Sequence, residues 1–399
     1  MASEGSEHKA TDGAPYPTFA GRIPVLLLRS LLVALLVLSG ASGVSAQTAA
    51  AVPDRDHHVW VAAEAVDEVY LVRWGPAGAE VLRSVNVSMI PTDADGPHGV
   101  AVSPDGAHLF VTTAHGHPFG YLWKIDAETG QRLGRVSLGL FPASLDLSPD
   151  GSLAWIVNFN LHGDMVPSSV SVVSTRDLVE IARIETCTMP HGSRITQDGR
   201  RQYSTCMMDD VLVEANAWGV ELSRHFVLTP GSEHGMSGAP GAHGAMGHGE
   251  MGNAPARCSP TWAQPSPSGG SVFVACNASD DLVEIDVESW TLLRRIPAGR
   301  GIYNVAVTSD GARLVATNKQ GQSISVFDLT DGRELARIPT LRTTVHGVVI
   351  SPDDRWAFVT VEGKGSEPGT LEIVDLESLT VAARLDLGQM AGGIAYWKE

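Results

Sequence analysis

Basic residues are scarce in this chain: 28 Lys and Arg stand against 45 Asp and Glu, a net charge of −17. That balance argues against nucleic acid and anionic membrane as partners, and leaves cationic ligands open. Beyond residue 38 no long apolar run occurs, so no second targeting or membrane-spanning segment is expected. Cysteine is limited to Cys187, Cys206, Cys258 and Cys276, and none of them sits in a Cys-x-x-Cys-His haem attachment. A Gly-x-Ser-x-Gly elbow and a phosphate loop are missing as well, which removes the commonest hydrolase and nucleotide signatures.

What the chain does have is a repeat. Pro97-His98-Gly99-Val100-Ala101-Val102-Ser103-Pro104-Asp105-Gly106 returns in degraded form from Pro142 to Gly151, His191 to Gly199, Trp262 to Gly269, Asn304 to Gly311, His346 to Asp354 and Gly392 to Trp397. The turn residues Gly106, Gly151, Gly199, Gly269, Gly311 and Asp354 recur every 42 to 48 positions, apart from one gap of 70. Such a period signals a propeller or solenoid. Within each unit an alternating apolar run enters an Asp-Gly turn. A second run follows (Leu109-Phe110-Val111-Thr112, Phe358-Val359-Thr360-Val361), then a third ending near Asp126, Asp286, Asp328 or Asp375, then a fourth. Four short strands per repeat make a propeller blade.

The first strands number seven, and the last of them, Gly392 to Trp397, has no room behind it for three more. The missing three stand at the other end of the chain, at Val59 to Ala62, Glu68 to Val72 and Glu80 to Val85. The expectation is an all-β, seven-bladed propeller whose closing blade mixes N- and C-terminal strands, which leaves few open edges. The tryptophans follow the strand frames and are expected to pack between blades.

The Ser-Pro-Asp-Gly turn, the Gly-Val-Ala-Val before it and the Ile-Asp before a Thr-Gly turn resemble the YVTN-type (YncE-like) bacterial β-propeller repeat, over roughly residues 57 to 399. The resemblance implies an extracytoplasmic, usually non-enzymatic propeller. Fold alone does not give its function.

Residues 1–46 read as an export signal: Arg22 and Arg29 precede the apolar run Leu31 to Leu38, and Val44-Ser45-Ala46 offers small residues for cleavage. A retained anchor is the alternative. The mature domain would span 47–399 and lie in the periplasm or be secreted. Export permits disulfides. Cys187 and Cys258 precede first strands, while Cys206 and Cys276 each fall seven residues after a turn glycine, which favours the pairs 187–206 and 258–276. Free thiols or a thiolate metal site are the alternative, since four cysteines allow three connectivities.

The gap of 70 is one Gly-rich insertion at 231–257, in which neither a helix nor a strand is expected and flexibility is. It carries His234, Met236, His243, Met246, His248 and Met251. Imidazole and thioether suit copper and survive an oxidising compartment; a linker with incidental His and Met, or zinc or nickel held by His alone, are the other readings. Every methionine after Met1, and most histidines, fall in loops of one rim, called the top here. There His98, His191 and His346 share one repeat position beside the central channel, separated by roughly 103°, 154° and 103° around a seven-fold axis. They are candidate metal ligands or, as simply, consensus residues of the repeat. Nitrous oxide reductase is similar in carrying hub histidines on a seven-bladed propeller, which makes a hub metal feasible.

The reading is therefore an exported propeller that binds a transition metal, copper first, as a binding or delivery module. Its partners would be the metal ion and another periplasmic protein on the top rim. A copper-dependent oxidoreductase, a lactonase-like hydrolase and a purely structural, protein-interaction propeller are the alternatives.

Overall fold

The computed structural model describes residues 51–89, 92–115, 119–240 and 257–399. The export-signal reading of 1–46 and the candidate ligands His243, Met246, His248 and Met251 lie outside them. Among the described residues no helix is long and apolar enough to cross a membrane.

Seven antiparallel sheets surround one axis, six of four strands and one of five. Blade one begins with Pro97–Val102 at the channel, blade two with Pro142–Leu147, blade three with Pro190–Ile195 and blade four with Pro260–Pro265. Blades five and six begin with Ile302–Val307 and Thr344–Ile350. Blade seven is the mixed one: Ala391–Lys398 pairs with His57–Ala63, followed outward by Glu68–Gly75 and Gly78–Asn86.

Local chemistry explains the constant period. At each bottom turn the repeated residue is left-handed: φ is 72° at Gly106, 71° at Gly151, 68° at Gly199, 73° at Gly269 and 72° at Gly311. Glycine takes that conformation without strain; in blade six Asp354 adopts it instead, at φ 56°. The hydroxyl two residues before the turn aspartate donates to it, as in Ser103–Asp105, Ser148–Asp150, Thr196–Asp198, Thr308–Asp310 and Ser351–Asp353, at 2.5–2.7 Å. Side chains that bond their own turn in this way fix strand register.

The core lies between blades. Trp60, Trp74, Trp155 and Trp356 are fully buried, and Trp74 of blade seven meets Trp356 of blade six edge to face at 5.6 Å. Disulfides join Cys187 to Cys206 and Cys258 to Cys276. Each closes a loop of 18 or 19 residues, a constraint worth about 3 kcal/mol in the chain-entropy account.

One expectation needs correction. The insertion does not begin as structureless chain: His234–Ser237 is a fifth strand on the outer edge of blade three, paired with Glu221–Val227. Tertiary contacts supply what apolar periodicity did not. Glu233 is bound by Arg295 of blade four at 2.6 Å, and Gly235 lies so close to Trp290 that a Cβ there would sit 2.2 Å from the ring.

Candidate functional site

The site forms where first strands begin, at the top of the channel. Hydroxyls from second strands, and in blade four from the first strand itself, tie these strands together. Thr112, Thr261, Thr317 and Thr360 donate to the carbonyls of Ala143, Tyr303, His346 and Gly392, each in the next blade, at 2.6, 2.7, 3.0 and 2.5 Å. The hub residues are thereby set by side chains outside their own strands.

His98, His191 and His346 come together there, all buried. The His98 ring centroid is 6.3 Å from that of His191 and 5.5 Å from that of His346. Tyr303 completes the cluster, 5.4 Å from His191 and 4.8 Å from His346. The rings meet as hydrogen-bonded groups. Nδ1 of His98 bonds Oε1 of Glu64, Nδ1 of His191 donates to the Thr261 carbonyl at 2.7 Å, and the Tyr303 hydroxyl donates to Nε2 of His191 at 3.0 Å. Nδ1 of His346 is buried and unpartnered. Among the described residues no group of three or more His, Cys, Asp or Glu side chains is arranged to hold a metal ion. Of the insertion's candidates, His234 and Met236 lie exposed on the outer edge of blade three, on the sheet's far side from the channel strand.

Glu64 is the residue the sequence did not single out. It opens the short turn Glu64–Val66 behind the second strand of blade seven. Asp67, left-handed at φ 55°, ends that turn and accepts the backbone N–H groups of Asp95 and Gly96 at 2.9 and 2.8 Å. The approach to His98 is thus tied to the segment carrying its partner. Oε2 of Glu64 accepts from Nε2 of His115 at 3.1 Å. His115 fits only because Gly96, at φ 58°, has no Cβ; one would lie 2.3 Å from the ring.

Lys319 and Glu362 were also missed. The Lys319 ammonium lies 4.2 Å from the Tyr303 ring centroid and 3.8 Å from Oε1 of Glu362. A signal for all three was present. Glu64, Lys319 and Glu362 each stand at the end of a second strand, one place beyond Ala63, Asn318 and Val361, which pair with Ala391, Ile302 and Val345 just before the hub positions. The same place holds Ala114, Phe159, Met207 and Asn277 elsewhere. It is a second ring above the first.

Beside the hub opens a cavity of about 640 Å³, lined in part by Thr261, Tyr303, Lys319, Arg300 and Lys364. Its charged lining residues are all cationic, in a chain of net charge −17.

Burial and these partners set the protonation states. Burial alone would raise the Glu64 carboxyl, but His98 and His115 hold it well below the usual carboxylate range. Burial, reinforced by His98, pushes His191 down to about 3, and burial with Lys319 nearby takes His346 well below the ordinary histidine value. Burial opposes the charge on Lys319, yet Tyr303 and Glu362 keep its pKa raised. Burial raises Glu362, with Lys319 pulling against it. His191 and His346 are therefore held neutral, between the ionised Glu64 and the charged Lys319.

A stability test follows from the two depressed histidines. They are neutral when folded and titrate near 6.5 when unfolded, so the unfolded chain gains protons first as pH falls. Their contribution is complete above pH 6.5 and is lost towards pH 3, at up to about 1.4 kcal/mol per pH unit for each. Urea unfolding between pH 7.5 and 5 will show this decline, and His191→Gln will reduce its slope. An unchanged slope in that variant would contradict the assignment.

No protein-family model and no curated protein matches the sequence. This is the fold of several solved propellers. Pseudomonas aeruginosa periplasmic gluconolactonase, PpgL, superposes with a TM-score of 0.64 at 16% identity, over 86% of this chain and 99% of that one. A candidate 6-phosphogluconolactonase of Bacteroides uniformis gives 0.62 at 16% identity, over 86% and 99%. Kuenenia stuttgartiensis hydrazine synthase gives 0.60 at 19%, over 77% and 92%. At such identities the likeness is one of fold.

Proposed function

We propose that the channel mouth is a lactonase-like hydrolytic site acting on a small polar ester or lactone. The observation that carries this reading is the pairing of His98 with the ionised, buried Glu64, one ring away, through His346, from Tyr303 in the wall of a cavity whose charged residues are all cationic. A carboxylate that accepts the proton on Nδ1 leaves Nε2 as the basic nitrogen, the arrangement needed to activate water. Lys319, at the cavity, supplies positive charge for the oxyanion formed when water adds to a carbonyl. The lactonases among proteins of this fold support the reading by analogy only. Glucono-δ-lactone and a phosphorylated or carboxylated analogue, followed by pH-stat titration, provide the test. Hydrolysis no faster than in buffer would end the proposal.

The Ser-Pro-Asp-Gly repeat supports a place beside the YVTN-type propellers, and the two disulfides support an exported protein in an oxidising compartment.

Copper capture by the insertion is a second reading, favoured by one observation. His234 and Met236 are two apart on one strand, so they project from the same face, and both are exposed. Residues 241–253 would supply the remaining ligands. Deleting 241–253 is expected to leave the melting temperature within a few degrees, because long surface insertions cost little closure entropy. It is expected to remove most Cu(I) uptake in competition with a chromophoric chelator. Undiminished uptake would rule the loop out as the capture element.

A further inference from the structure

The chemistry at His98 needs an outlet. Hydrolysis of a lactone breaks an O–H bond of water, joins its oxygen to the acyl carbon and breaks the ring C–O bond. The ring oxygen leaves as a hydroxyl with one of water's protons, and the acid product ionises, so each turnover near neutral pH yields a carboxylate and one proton. His98 lies buried. From the Nδ1 side, away from the water that Nε2 activates, a proton can leave only through the bonded partner, Glu64.

We propose that Glu64, His115 and His162 form a proton conduit from His98 to solvent at the top rim. The inference rests on the hydrolytic reading for its purpose, but its geometry stands alone. Nδ1 of His98 bonds Oε1 of Glu64, Oε2 of Glu64 bonds Nε2 of His115 at 3.1 Å, and Nδ1 of His115 lies 3.3 Å from Nε2 of His162. Each group offers one atom to the neighbour before it and another to the neighbour after it. An imidazole that changes tautomer, or a carboxyl that turns about its Cγ–Cδ bond, can accept on one side and donate on the other.

Exposure rises outward from Glu64. Side-chain exposure is 11% at His98, 9% at Glu64 and 29% at His115, and His162 is an exposed loop residue. The line crosses from the turn of blade seven through blade one to a loop of blade two. One apolar side chain flanks its whole length: the Phe141 ring packs edge to face against His98, His115 and His162 at 5.8, 4.8 and 5.3 Å. Such a wall holds the three imidazoles in line. The His162 loop is itself stapled, since the Asn160 carboxamide donates to the Asp164 carbonyl at 3.0 Å. The other titratable groups facing the inner end are His191 and His346, which meet the His98 ring, with Lys319 behind them. Both nitrogens of His191 are taken, by the Thr261 carbonyl and the Tyr303 hydroxyl, and Nδ1 of His346 has no partner, so among the described residues the connected line is the one through Glu64.

His115→Gln and His162→Gln test the conduit, because glutamine keeps a hydrogen-bonding side chain that cannot carry a proton. In weak buffer kcat for lactone hydrolysis should fall at least tenfold in each variant with KM unchanged, and added imidazole should restore the His162→Gln enzyme. A loss without rescue, or no loss, overturns the proposal. A second measurement does not depend on hydrolysis. The downfield proton signal of His98 Nδ1–H reports its exchange with water, and exchange should slow at least tenfold in both variants relative to the parent. If the parent hydrolyses no lactone while exchange slows, the hydrolytic reading fails and the conduit stands. Unchanged exchange in both variants overturns the conduit, whatever the activity.

Discussion

Removing Ala391–Lys398 with Glu399 will abolish cooperative unfolding. This strand is the innermost member of blade seven, and its hydrogen-bonded neighbour in the sheet is His57–Ala63, from the other end of the chain. It is also bound from both sides of the ring. The Thr360 hydroxyl of blade six donates to the Gly392 carbonyl at 2.5 Å, and Nε1 of Trp397 donates to the Gly106 carbonyl of blade one at 2.8 Å. At Gly393 a Cβ would lie 1.9 Å from the His98 carbonyl, so no bulkier segment could replace it. Deletion therefore strands a ladder edge, exposes Trp60 beside the lost Trp397 and opens the ring between blades six and one. At about 1 kcal/mol for each lost hydrogen bond and 1.5–3 for each re-exposed large side chain, the cost matches the whole stability of an ordinary domain, about 5–15 kcal/mol. Calorimetry will show no single transition near the parent temperature. A truncated chain that melted once, where the parent does, would mean that closure adds nothing to the fold.

The ring was legible in the sequence because its period is written in local chemistry. A tight turn, Asp-Gly in four blades, with a hydroxyl two residues before its aspartate and an apolar alternation leading into it, recurs along the chain, and none of these depends on what a neighbouring blade contains. Counting first strands was enough to place the chain's two ends in one sheet. The phase of the cysteines relative to the turns brought the right partners together for the same reason. The site was legible only as far as the repeat phase reaches. His98, His191 and His346 share that phase, and they meet. Whether such rings take a metal or bond to one another depends on what lies opposite, and there the sequence was silent. Glu64 stands 34 positions from His98, and its blade had been recognised by strands alone. The turn that lifts Glu64 into the channel is fixed by Asp67 binding a loop of the next blade, a contact with no local signature. The strand at His234–Ser237 escaped for a related reason: an ion pair and a tryptophan of blade four hold a segment whose own residues have little strand preference.

Glu64→Gln will cost the largest share of activity. Ionised Glu64 accepts from His98 through one oxygen and from His115 through the other. A carboxamide has one oxygen and one NH₂, so one of the two imidazoles must then face a donor. If that is His98, Nδ1 becomes the acceptor and Nε2 carries the proton, the wrong tautomer for a base. Replacing the carboxylate behind a catalytic histidine by its amide lowers turnover by about 10⁴ in the hydrolases where this has been done, and a fall of about 10³ to 10⁴ in kcat is expected here. The fold should survive, because the amide fills the same space; one unsatisfied buried group costs about 1–3 kcal/mol. Acid stability supplies an independent check. Glu64 titrates lower in the folded protein than in the unfolded chain. Its contribution is present above the unfolded value of about 4.3 and is lost as pH falls below that. The Gln variant lacks this limb, so its unfolding free energy should fall less steeply than the parent's below pH 4.5. Activity retained within tenfold in a folded Glu64→Gln protein would remove His98 from the role of base.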